Sequence, residues 1–143
     1  MDKKSLIQSA AQLHGPEIQF IEEFRMKTDL MVSQLNTTLI KRPDLDKLIG
    51  INNLEMMQDN HANHARFMTV IMENYDATIF VDTILWVFSA YKNHGFSPNY
   101  WAAQLNTWIT ITKEHLSEEA FRQIQPFYQW MQVHIPEFDA LSK

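Results

Sequence analysis

The chain has 143 residues, 12 Lys plus Arg against 17 Asp plus Glu, a formal net charge of −5, three Gly and no Cys. Hydrophobic residues at 45% with so small a net charge exclude a disordered chain, and the length fits one domain spanning residues 1–143. The missing Cys excludes disulfides, iron–sulfur clusters, thiolate zinc sites and Cys nucleophiles, and the acidic balance argues against a nucleic-acid binder, which needs clustered Lys and Arg.

The N-terminus carries Lys3 and Lys4 with no apolar run behind them, unlike a signal peptide. The longest apolar stretch, 79–91, is broken by Asp82, Thr83 and Ser89 and is too short to span a bilayer. A cytoplasmic protein is the expectation. Gly15, Gly50 and Gly95 stand alone, so neither a phosphate-cradling loop nor a G-x-S-x-G elbow is present. No enzyme signature remains. No segment alternates with period two, and the chain reads as all-α.

In chain order, a first helix is expected over 2–13, with Leu6, Ala10 and Leu13 on one face and Gly15 ending it. Pro16 is placed at the first position of a second helix that runs to Ile40, with Phe20, Phe24, Met31 and Leu35 inward. A short helix ending near Gly50 follows, with Asp44 as its expected cap. The third long helix, 53–75, carries Leu54, Met57, His61, His64, Met68, Ile71 and Tyr75 at steps of three and four, an apolar seam with two histidines in it. The helix over 76–93 is apolar nearly all round and is expected to lie centrally.

Ser97 caps the next helix and Pro98 opens it, with Trp101, Leu105, Trp108 and Thr112 on one face. Ser117 caps the last, whose seam is Phe121, Ile124, Tyr128, Met131 and Ile135; Pro126 falls inside it and Pro136 is expected to stop it. Trp130 lies off that seam and is expected to be partly exposed. With Trp101, Leu105, Trp108, Phe127, Tyr128 and Met131 it would form a dimer interface between helix pairs of two subunits.

His61 and His64 are the sharpest chemical feature. Spaced by three, they read either as a ligand pair for haem, a metal or an anion, or as two core histidines hydrogen-bonded to neighbouring helices. Zincin and di-iron patterns are absent, so no metal site is assigned. Haem would need a facing proximal ligand, and the 76–93 helix holds no His, Cys or Met. Arg66 beside the seam could turn inward to a carboxylate, but reads first as a solvated flank. Met56, Met57, Met68 and Met72, beside Phe67, suit a cavity that adapts to an apolar ligand, and equally fill core gaps.

The long helices, the nearly all-apolar one, the run Tyr91-Lys92-Asn93-His94-Gly95-Phe96 and the two aromatic C-terminal helices together resemble the globin-like sensor domains that lack haem. These occur in stressosome proteins and, closer to this chain, in stand-alone sensor-domain proteins that inhibit sporulation. The resemblance implies a globin-like domain of six to seven helices, a homodimer through the two C-terminal helices, no haem cofactor, and a fatty acid in an apolar tunnel with a small polar chamber for an anion. On that implication Phe67, Met68, Ile71, Met72, Tyr75, Phe80, Ile84 and Val87 line the tunnel, while His61, His64 and Arg66 supply its polar end. Seven residues follow Pro136, too few for an output domain. The implied mechanism is competition for the signal or partner of a sensor histidine kinase. The alternatives are a haem-binding gas sensor of the same fold and a ligand-free interaction module.

Overall fold

The computed structural model describes residues 1–142. Among them the chain forms eight α-helices: α1 (Lys3–Ala10), α2 (Ile18–Ile40), α3 (Leu45–Ile49), α4 (Leu54–Glu73), α5 (Ala77–Lys92), α6 (Pro98–His115), α7 (Glu118–Val133) and α8 (Ile135–Leu141). The described residues form no strand, as the absence of period-two alternation implies. No helix among them is long and apolar enough to cross a membrane.

Side-chain caps set several helix starts. Asp2 accepts from the Ser5 backbone N–H, Asp76 from that of Ile79, Ser97 from that of Asn99 and Ser117 from that of Ala120. Each satisfies an amide that a helix start leaves unpaired, an effect of about 1 kcal/mol. Asp44 is different: its carboxylate turns to the Arg42 guanidinium at 2.9 and 3.0 Å and makes no cap bond.

Two prolines sit differently from expectation. Helix α2 begins at Ile18 rather than at Pro16. The Glu17 backbone N–H is taken by the Gln123 side chain of α7 at 2.8 Å, and this tertiary bond fixes the start. Pro136 does not stop the last helix. The chain breaks at His134, and Pro136 lies in the first turn of α8, where its missing N–H costs nothing. Helix α8 then buries Phe138 fully, with its ring 5.2 Å from Phe88 and 5.5 Å from Trp130. Helix α7 itself continues through Pro126.

Helix α2 packs along α4 and α6, α6 pairs with α7, and α5 is held between α1 and α8. Helix α5 is therefore peripheral, not central. It buries Phe80, Val81, Ile84 and Phe88 but leaves Ile79 56% and Trp86 70% exposed. The loops before α4 and α6 are tied by one side chain: Asn53 Nδ2 donates to the carbonyls of Ile49 and His94, each at 2.7 Å. Gly50 and Gly95 in these loops have φ of 83° and 96°, the left-handed region where a side chain is strained.

Candidate functional site

Helices α4 and α5 are consecutive in the chain but do not close against each other, and a cavity of about 270 Å³ lies between them. Helix α4 contributes Asn60, Asn63, His64 and Phe67. Helix α5 contributes Thr83, Ile84, Trp86, Val87, Phe88 and Tyr91. The far wall is Trp101, Gln104 and Leu105 of α6, Met131 of α7 and Phe138 of α8. The lining is mostly apolar and holds no Lys, Arg, Asp or Glu. A dry cavity of about 150 Å³ holds benzene, so this one scales to roughly a dozen non-hydrogen atoms.

His64 lines the cavity. Its Nε2 lies 2.9 Å from Tyr128 Oη, and its ring packs 5.1 Å from Trp108 and 5.4 Å from Tyr128, both fully buried. Burial holds the Tyr128 phenol well above its ordinary pKa, so it keeps its proton. Among the described residues His64 is the one hydrogen-bond acceptor for that proton. With Nε2 accepting, the ring N–H is on Nδ1. Burial, reinforced by the nearby His61, pushes the His64 pKa down to about 3, so the imidazole is neutral at pH 7.

A second polar group lines the same cavity. Asn60 Oδ1 accepts from Tyr100 Oη at 2.6 Å and from Gln104 Nε2 at 2.9 Å, and its side chain also hydrogen-bonds the Tyr91 phenol. Asn60, Gln104 and Tyr91 therefore present fixed, uncharged dipoles to the cavity.

His61 sits one turn before His64 and is fully buried, but turns toward α2. Its Nδ1 donates to Asn36 Oδ1 at 2.5 Å, and its ring stacks on Tyr100 at 6.2 Å. Burial lowers its pKa to about 3 as well. Among the described residues its Nε2 has no hydrogen-bond partner, and neither does the buried Trp108 Nε1. The two histidines thus serve different contacts. Among the described residues no group of three or more His, Cys, Asp and Glu could hold a metal ion.

The structure separates the remaining sequence-assigned residues. His64, Phe67, Ile84 and Val87 line the cavity, whereas Met68, Ile71 and Met72 are buried in the core outside it. Tyr75 donates its hydroxyl to the Ala10 carbonyl of α1 at 2.5 Å. Phe80 stacks on Phe67 at 6.0 Å and meets Phe127 edge-on at 5.9 Å. Arg66 is exposed, hydrogen-bonds the Asn63 side chain, and borders a separate, more polar depression between α2 and α4.

The aromatic residues assigned to a dimer interface also lie inside the protomer. Trp101, Leu105 and Met131 line the cavity, and Trp108, Phe127 and Tyr128 are fully buried. Trp130 is only 9% exposed, and its indole N–H donates to Ser9 Oγ at 3.0 Å. The expected exposure of Trp130 is thus corrected: α1 and α8 cover the side of α7 that the seam left open. Asn60 and Gln104, which the sequence reading passed over, had a signal. Each is an uncharged polar residue at an inward position of an amphipathic helix.

Compared with family models, curated proteins and solved structures, the chain gives no significant match.

Proposed function

We propose that the protein is a regulatory ligand-binding domain that holds an apolar molecule with one polar end between α4 and α5. The observation that carries this reading is the cavity itself: about 270 Å³, lined mostly by aromatic and aliphatic side chains, with His64, Asn60 and Gln104 among the few polar groups in its wall. Binding sites for small molecules have this character, an apolar wall with a few fixed polar groups. The order of the helices around the cavity, α4 and α5 facing each other with α6 and α7 behind, supports the globin-like reading drawn from the sequence.

A fatty acid is the ligand class that the resemblance implies. A medium chain matches the cavity volume, and a longer one would emerge past Trp86. Haem fits less well. A porphyrin is far larger than a dozen atoms, and α5 offers the cavity no His, Cys or Met. The regulatory role, competition for the signal or partner of a sensor histidine kinase, follows the same resemblance. A dimer through α6 and α7 would use the outward faces of those helices, because their aromatic residues are spent inside the protomer.

Native mass spectrometry of the freshly purified protein, followed by organic extraction, tests the reading. It predicts one small apolar molecule per chain. Released haem would support the gas-sensor alternative. A protein that carries nothing and takes up no added apolar probe would contradict ligand binding.

A further inference from the structure

A ligand's polar end must match what the cavity offers, and no side chain lining it carries a formal charge at neutral pH. Its polar groups are the His64 imidazole, the Asn60, Asn63 and Gln104 amides, the Tyr91 phenol and the Thr83 hydroxyl. The Tyr128 proton occupies one nitrogen of His64 and leaves Nδ1–H as the ring's remaining donor. An ionised carboxylate placed here would lose its hydration with no cation in return, which costs far more than burying a hydrogen-bonded neutral group.

Two routes could rescue an anion, and both are poor. Protonated His64 could pair with it, but a pKa of about 3 leaves roughly one molecule in ten thousand protonated at pH 7. Arg66 could meet it at the rim, where its guanidinium hydrogen-bonds Asn63. Arg66 is exposed, however, and an ion pair in water at a surface contributes little.

Building on the ligand-binding reading above, we infer that the cavity selects an uncharged amphiphile of about a dozen non-hydrogen atoms, its alcohol, amide or protonated acid group turned inward to His64 and Gln104. A fatty acid enters as the neutral acid, not as the carboxylate. Occupancy by an acid therefore rises as the pH falls, while occupancy by an alcohol or amide of the same length does not.

The test is displacement of 1-naphthylamine, a neutral fluorophore small enough for the cavity, from the full chain by decanol, decanamide and decanoate at pH 8 and pH 6. Decanol and decanamide should displace it with affinities that agree within about twofold at the two pH values. Decanoate should bind roughly a hundredfold more tightly at pH 6 than at pH 8, because its neutral fraction rises tenfold per unit. Arg66→Gln should leave all three unchanged, and His64→Phe should weaken decanamide by about tenfold through loss of the Nδ1–H donor. Decanoate binding at pH 8 as tightly as decanol, or a loss of decanoate binding in Arg66→Gln, would overturn the neutral-ligand inference and leave ligand binding intact. If neither the fluorophore nor any competitor binds, the ligand-binding reading itself fails, and the inference with it.

Discussion

Acidifying the protein from pH 7 to pH 5 should destabilise it by about 4 kcal/mol through His61 and His64 together. Burial holds both folded-state pKa values down at about 3, against 6.5 for an unperturbed imidazole. Between those values the unfolded chain binds protons that the folded chain refuses. The stabilisation is therefore complete above pH 6.5 and is lost as the pH falls toward 3. At pH 5 each imidazole lies about 1.5 units below its unfolded pKa and well above its folded one. At about 1.4 kcal/mol per unit, each costs about 2 kcal/mol. A loss of about 4 is a large share of the roughly 5–15 kcal/mol that stabilises a typical domain.

The carboxylates held below their ordinary values act at lower pH. Glu23, where hydrogen bonds from Ser117 outweigh burial, has its pKa lowered, as do Asp44 beside Arg42 and Glu119 beside Arg122. Carboxylates of this kind lose their contribution only as the pH drops below about 4.5. Urea unfolding followed by far-UV circular dichroism at pH 5, 6 and 7 measures the effect. His61→Gln and His64→Phe should each remove about half of the pH dependence. Stability that stays level from pH 7 to pH 5, or the full slope surviving in both variants, would refute the assignment of two neutral buried imidazoles.

Three further outcomes follow from the same contacts. Tyr128→Phe deprives His64 Nε2 of its 2.9 Å partner and should cost about 1–2 kcal/mol, whereas adding it to His64→Phe should cost much less; additive losses in denaturant titrations would mean the pair is not coupled. Trp130→Ala should lower protomer stability by about 3–5 kcal/mol and leave the oligomeric state unchanged, because the indole packs within one chain; light scattering that shows subunit dissociation with little loss of stability would place Trp130 at an interface instead. Gly50→Ala forces a side chain into φ 83° with its Cβ 3.2 Å from Asn53 Nδ2, and a loss of about 1–2 kcal/mol should appear as a lower thermal midpoint.

Helix starts were legible where the capping side chain had no competing partner, as Asp44 has in Arg42. Ser97 and Ser117 cap the helices they were expected to cap, because a capping bond joins residues two or three apart. Pro16 and Pro136 misled because tertiary contacts decided the boundary: Gln123 holds the chain before α2, and Phe138 needed a further helical turn to reach the core. The inward face of α4 was readable from its three–four spacing, but spacing does not say what lies opposite. His61 and His64 point inward alike and still meet different partners, Asn36 on α2 and Tyr128 on α7.

The same limit explains α5 and the aromatic helices. An apolar circumference suggests burial all round, yet Ile79 is 56% exposed and Trp86, although it lines the cavity, is 70% exposed, while Ile84 and Phe88 are buried. Trp101 and Leu105 are inward residues under any arrangement. Whether an inward face meets a cavity or a second subunit depends on how the helices pack, and a single helix's pattern does not hold that information.

The central claim is that a small apolar molecule occupies the space between α4 and α5, and the most direct test compares wild-type protein with Val87→Trp, which fills that space. Native mass spectrometry with added 1-naphthylamine should show one probe bound per wild-type chain and none on the filled variant, with both proteins folded by circular dichroism. Equal binding to both would put the site elsewhere, and no binding to either would contradict the account.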